Sequence, residues 1–322
     1  MPAPMTGYGF GRQLALVPSP TATAPALPAA HGPPATSHGL PLHQKRGAML
    51  HDLTHHPGLT NEAYHELEAV SPSRLKVLRR SPLHYWDKFL APDREVKPST
   101  PQQQRGTALH TAVLEPQLWD STIAVPRHAF DRRTKVGKER ADAFASENEG
   151  KLVLSVDDAD LVRRMADSIR RDPAASFLLE LPGRREASYT WTDETWALEC
   201  KTRPDWHSED CRLVVDVKTT KDASRAEFER SIAGYDYHVQ AAWNRQALSA
   251  EQFLTIAVEN ERPFGVAVYP ASAAMLAAGE RRINAAMEVL SKCLGEYGTD
   301  RPWPGYGDLI QEPIELPRWC RD

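Results

Sequence analysis

The sequence predicts an α/β domain. Three observations predict it. Apolar residues recur at helical spacing up to about residue 171, change to a period of two, and return to helical spacing after 271. A helical stretch, 223–248, separates the first strand-like runs from the last two. The 322 residues are 41% hydrophobic and 25% charged, the composition of a soluble globular protein. That length allows one large domain or two small ones, and no internal repeat divides it.

Residues 1–57 are read as a disordered Pro/Ala-rich leader, and 58–322 as the folded domain. The first 41 residues hold nine prolines, which sustain neither a helix nor a central strand. Met49, just before periodic sequence begins, is a candidate start. Ser71-Pro72 and Ser81-Pro82 each place a capping hydroxyl before a proline at the first helical position. Two short helices are expected between 72 and 90, carrying Leu75, Leu78, Tyr85 and Phe89. A proline-rich turn then leads to a helix over about 103–114, and another helix is expected over 157–171. Strands are expected at 186–191, 196–201 and 213–218. A hairpin at 253–259 and 264–269 precedes a last helix over 271–296.

The formal charge of −4 excludes a bulk electrostatic drive toward nucleic acid, so any such binding must come from local patches. Residues 71–105 carry eight Lys/Arg against three Asp/Glu, and 131–140 carry five against two. Such runs are usually solvated faces. No apolar run is long enough to span a membrane, and no secretory signal is read at the N-terminus. Cys200, Cys211, Cys293 and Cys320 form no CxxC pair, and are expected as reduced thiols in a cytoplasmic protein. Cys200 and Cys211 are expected to be cross-strand neighbours at most.

The chemistry concentrates in Arg203-Pro204-Asp205 and Leu213-Val214-Val215-Asp216-Val217-Lys218. Alternation along a strand puts Val215 and Val217 on one face, and Asp216 with Lys218 on the other. A carboxylate in an apolar run is costly unless it is paired or binds a metal. Ser208-Glu209-Asp210 supplies a turn, so a hairpin would set Asp205 opposite residues near 215. Two converging aspartates are hard oxygen ligands suited to Mg²⁺, with Mn²⁺ able to substitute. That arrangement fits metal-assisted phosphodiester hydrolysis, with Lys218 orienting or deprotonating a water.

Pro204-Asp205 followed by Asp216-Val217-Lys218 resembles the signature of PD-(D/E)xK nucleases, which implies a restriction-endonuclease-like core, a mixed β-sheet flanked by helices. Arg105-Gly106-Thr107-Ala108-Leu109-His110 resembles the histidine-bearing helix motif of the RecB-like branch. Tyr237-His238-Val239-Gln240 resembles its downstream tyrosine–glutamine motif, and the motif order matches. Together with Ser71-Pro72-Ser73-Arg74-Leu75, Ser81-Pro82-Leu83-His84-Tyr85 and Trp303-Pro304-Gly305-Tyr306, the chain from about 60 to 320 is similar to the RecE / exodeoxyribonuclease VIII-like family of phages and prophages. The resemblance implies His110, Asp205 and Asp216 as metal ligands with the Val217 carbonyl, and Lys218 as the catalytic lysine. Gln240 would contact the DNA backbone or the lysine, with Tyr237 beside it.

The resemblance also implies 5′→3′ digestion of linear double-stranded DNA from its ends, leaving 3′ single strands. It further implies a RecT-like strand-annealing partner, a homo-oligomeric ring and a phage-encoded protein in the bacterial cytoplasm. Arg74, Arg79, Arg80, Arg105, Arg132 and Arg133 are candidate phosphate contacts. Glu186, at a strand start, is a candidate acid behind the ligands. The cysteine placement does not match the iron–sulphur cluster of some relatives, so none is expected. Two other readings stay open: a PD-(D/E)xK endonuclease, and a catalytically idle DNA-binding module.

Overall fold

A computed structural model describes residues 53–95, 97–307 and 313–316. The described residues begin with strand β1 (Thr54–His56) and helices α1 (Asn61–Glu66), α2 (Pro72–Leu78), α3 (Pro82–Phe89), α4 (Pro101–Leu114) and α5 (Trp119–Thr122). Strand β2 (Ile123–Ala124), α6 (Lys135–Glu147), β3 (Leu152–Val153), α7 (Val156–Arg171) and α8 (Pro173–Glu180) follow. The strands β4 (Gly183–Arg185), β5 (Ser188–Asp193), β6 (Leu198–Thr202), β7 (Trp206–Ser208) and β8 (Leu213–Thr220) come next. Then come α9 (Arg225–Tyr235), α10 (Tyr237–Ala247), β9 (Gln252–Glu259), β10 (Val266–Pro270) and α11 (Ala273–Tyr297).

The main sheet has the order β10-β9-β8-β7-β4 and is mixed, as expected: β8 and β9 run parallel and the other pairs antiparallel. A parallel central pair is covered on both faces, so its strands are largely apolar at their centres, with Asp216 and Lys218 of β8 the charged exceptions. On one face Val215, Val217, Ile256 and Val258 pack against Ala108 and Leu109 of α4 and Val162, Met165 and Ile169 of α7. On the other, Val214 and Phe253 meet Ala241 of α10 and Leu248. α11 lies across α10, where Ile283, Met287 and Leu290 share a core with Val239 and Trp243.

The strands expected at 186–191 and 196–201 form at Ser188–Asp193 and Leu198–Thr202, in a separate antiparallel sheet of order β1-β5-β6. β1 lies at 54–56, inside the stretch read as leader, because its residues pair with Ser188–Thr190 of β5. Residues 1–52 of that leader, and Cys320, lie outside the described residues. Cys200 pairs with Trp191 across β5–β6, whereas Cys211 sits in the β7–β8 turn at φ 59°, so the two are not cross-strand neighbours.

Local chemistry explains the remaining boundaries. α4 starts at Pro101, ahead of the expected start near 103: Thr100 and Gln103 form a capping box, and proline fits the first helical position. The helical stretch 223–248 breaks into α9 and α10 at Asp236, which adopts φ 59°. The Asp236 carboxylate receives Arg79, at the C-cap of α2, at 2.8 Å and Arg282 of α11 at 2.5 Å. Trp303 stacks on Tyr85 and the Pro304 carbonyl accepts the Leu83 N–H, which docks the tail on α3. α6 is mostly polar, with only Gly137 and Ala141 buried, and so left no apolar period to read. No described helix is long and apolar enough to cross a membrane.

The crossing of α10 and α11 depends on Gly279. A Cβ there would lie 2.1 Å from the His238 carbonyl oxygen and 2.7 Å from Ala242 Cβ. Gly279→Ala should therefore cost about 1–3 kcal/mol of stability by overpacking. Urea unfolding monitored by circular dichroism checks this; an unchanged midpoint would contradict the close crossing.

Candidate active site

The site forms where the two sheets meet. β4 belongs to the main sheet and β5 to the smaller one, and Glu186 makes the change between them at φ 47°. β6 and β7 are divided the same way, and Arg203-Pro204-Asp205 makes the return. Proline has no N–H to continue a ladder, so the chain leaves one sheet there. The Glu186 N–H donates to the Asp205 carbonyl at 3.0 Å, which places both acids at one seam.

The β7–β8 register sets the next contact. Trp206 pairs with Val215 and His207 with Val214, so Asp205 falls opposite the segment 216–217. The expectation from the turn chemistry is met. Asp205 Oδ2 accepts the Val217 N–H at 2.6 Å. Asp205 and Asp216 are both buried.

His110 reaches this point from the middle of α4. Its Nε2 lies 3.1 Å from the Val217 carbonyl oxygen and 3.5 Å from Asp205 Oδ2. Its Nδ1 lies 3.2 Å from Glu186 Oε1. Burial would lower the His110 pKa, but the carboxylates of Asp205 and Glu186 outweigh it and raise it to about 9. The imidazolium is thus held by oxygen acceptors on both sides.

Asp216 points to the other side, toward α10. Its Oδ2 lies 2.6 Å from Lys218 Nζ, and Gln240 Nε2 donates to its Oδ1 at 2.8 Å. Burial pushes the Asp216 carboxyl up, against the pull of Lys218. Burial would lower Lys218, yet Asp216 and Asp205 hold it above its ordinary value. The Tyr237 ring lies 5.4 Å from the Lys218 ammonium. Gln240 therefore binds the aspartate rather than the lysine.

His110, Glu186 and Asp205 present ligand atoms within 4.8 Å of one another. The chemistry of this set fits a divalent cation. Asp205, the Val217 carbonyl and the Nε2 lone pair of a neutral His110 would converge with nothing positive between them. In the metal-free protein a proton on Nε2 fills that need. Asp216 is close enough to feel Asp205 and His110 electrostatically, but both its oxygens are engaged by Lys218 and Gln240.

The candidate phosphate contacts scatter. Arg105 is paired with Asp158 at 2.9 Å, and Arg74 donates to the Leu67 carbonyl and lies over Phe89. Arg133 is paired with Asp131, and Arg132 beside it is exposed. Arg79 and Arg80 lie at the end of α2, with Arg80 donating to the Tyr306 hydroxyl at 3.2 Å. Glu186, only a weak candidate in the sequence, stands directly against His110. Its one signal was an acid at a strand start.

Comparison with known proteins follows this geometry. A search of curated proteins returns no match. A crystal structure from Eubacterium rectale, described as "Putative exonuclease", aligns with a TM-score of 0.52 at 14% identity, over 80% of this chain and 96% of that one. At that identity the likeness shows the fold alone. The crystal structure of SSO0001 aligns with a TM-score of 0.26 at 15% identity, over 56% of this chain and 86% of that one, and carries no argument. The family model described as a PDDEXK-like domain of unknown function (DUF3799) matches residues 71–309, most of the chain and every residue of the seam but none of β1 or α1. The chain belongs to that PDDEXK-like family, and its mixed sheet flanked by helices is the family's fold.

Proposed function

We propose that this chain is a divalent-metal-dependent deoxyribonuclease that digests linear double-stranded DNA from its ends, 5′→3′, in the manner of the RecE-like enzymes. The observation that carries the reading is the meeting of His110 Nε2, Asp205 Oδ2 and the Val217 carbonyl within 3.1–3.5 Å, beside the Lys218–Asp216 pair. Support for an exonuclease comes from the motif order, from the RecE-like flanking segments and from the neighbour described as "Putative exonuclease".

His110, Asp205 and the Val217 carbonyl would hold the ion, with Asp216 beside them. Mg²⁺ suits the oxygens, and Mn²⁺ would substitute. Bound there, the ion supplies a more acidic water and charge neutralisation at the phosphate. The protein supplies the rest. Glu186 fixes the ring of His110 through Nδ1, so that Nε2 faces Asp205. Lys218, kept cationic by Asp216, stands ready to orient the attacking water and to neutralise phosphate charge. Gln240 holds Asp216 in place. The 3′ strand left behind is a substrate for a RecT-like annealing protein, and a ring of subunits would keep the enzyme on its duplex. Phage or prophage origin and action in the bacterial cytoplasm belong to the same reading.

Digestion of one plasmid, supercoiled and linearised, tests this. Wild type with Mg²⁺ should degrade only the linear form, releasing a 5′ label before a 3′ label; EDTA should stop it. Cutting of the circle would establish the endonuclease reading instead. Lys218→Ala should lower the rate at least about a hundredfold while DNA binding in EDTA persists. Glu186→Gln should weaken Mn²⁺ binding about 10–100-fold, read by calorimetry, with the fold retained.

The pH dependence has a definite sign. His110 is protonated below about 9 in the metal-free protein and must lose that proton to become a ligand. Mn²⁺ affinity should therefore rise from pH 6.5 to 8.5. Titrations at pH 8 in two buffers of different ionisation heat should show a proton released; none released would remove His110 from the ligand set.

A further inference from the structure

A groove of about 600 Å³ opens between α2, α10, α11 and the docked tail. Its floor is apolar, with Leu78, Val239 and Val289. Its lining holds four cations, Lys76, Arg79, Arg80 and Arg282, against a single acid, Asp236. That acid is already paired with Arg79 and Arg282. An apolar floor beneath an excess of positive charge calls for a ligand that is anionic along its length and flat or apolar at intervals.

The first turn of α10 borders both the groove and the active site. Asp236 and Val239 line the groove, while Tyr237 and Gln240 face Lys218 and Asp216. Tyr235 joins the two. Its ring stacks on Tyr237 at 5.5 Å and is 55% exposed. The Lys76 ammonium lies 5.7 Å from the Tyr235 ring and donates to the Tyr235 carbonyl. Beyond it, Arg80 and the exposed Tyr306 stand at the far wall.

We propose that this groove binds single-stranded DNA: one strand leaves the catalytic lysine, crosses Tyr235, and lays its bases into the apolar floor with its phosphates on the cationic rim. The proposal rests on the nuclease reading and adds to it the path of one strand. Single-stranded nucleic acid is held by this combination of a basic groove and aromatic platforms. A stacked duplex offers no free base to such a floor. An acidic peptide with apolar side chains has similar chemistry, but nothing in its recognition would call for a row of aromatic rings ending at the catalytic lysine.

Fluorescence anisotropy with a labelled oligothymidylate of about a dozen nucleotides, in EDTA, tests the proposal on the full chain. Tyr235→Ala and the groove-filling Val289→Trp should each weaken binding about tenfold. Arg80→Glu should do the same and flatten the salt dependence. Arg171→Glu, an exposed residue of α7, makes the same charge change elsewhere and should alter binding less than about twofold. Thermal unfolding confirms that each variant is folded. Wild-type affinity in both Tyr235→Ala and Val289→Trp would overturn the proposal and turn attention to an acidic peptide. Equal loss in Arg171→Glu would also overturn it, since binding would then follow net charge alone. Metal-dependent cutting by wild type is a separate readout: groove-dependent binding without any cutting overturns the nuclease reading and leaves the groove assignment standing.

Discussion

Asp205, just before β7, and Asp216 of β8 are both buried, with the Asp205 carboxylate accepting the Val217 N–H at 2.6 Å. Two carboxylates withdrawn from water at close range destabilise each other and the fold. The surrounding structure offsets that cost from two directions. Lys218 and Gln240 close around Asp216 from the α10 side, and His110 approaches Asp205 from the α4 side. All of it depends on the β7–β8 register. A slip of one residue would turn Asp216 and Lys218 into the α4–α7 core and bring Val215 and Val217 out toward α10.

The seam between the sheets is what makes room for a cation. Within a continuous sheet the Val217 carbonyl would meet an N–H of the next strand. Here β7 is three residues long and Pro204 stops the ladder, so the carbonyl faces His110 instead. The smaller sheet is anchored beside this gap. Lys201 Nζ donates to the carbonyls of Tyr64, His65 and Leu67, and Arg203 to those of Leu59 and Thr60. The N-terminal segment thus ties the strand that delivers Asp205, which accounts for β1 and α1 belonging to the folded domain.

Much of this was legible because it is local. Serine–proline pairs mark the starts of α2 and α3, and the turn 208–210 carries enough chemistry to set Asp205 opposite residues near 215. The parts that escaped reading depend on contacts distant in sequence. The division into two sheets is invisible in alternation alone, since a strand reads the same in either. Glu186 becomes a neighbour of His110 only through a left-handed turn at a non-glycine residue, which no pattern announces. Arg105 looks like a free cation in its motif, yet α7 supplies Asp158 to it from 53 positions away.

Helix α10 shows how a site can be set by contacts outside it. Its direction is fixed at Asp236, whose left-handed backbone breaks the helix and whose carboxylate is clamped by Arg79 at the C-cap of α2 and Arg282 from α11. It is fixed again at Gly279, where α11 approaches to backbone contact. Between these points Gln240 reaches Asp216 and Tyr237 lies against Lys218. The lysine is therefore positioned by α10 as much as by its own strand. The clamp on Asp236 also lines the groove, so the same two arginines that hold the helix face whatever lies there. One short turn of helix thus serves both places: it presents Gln240 to Asp216 at the seam and Asp236 and Val239 to the groove.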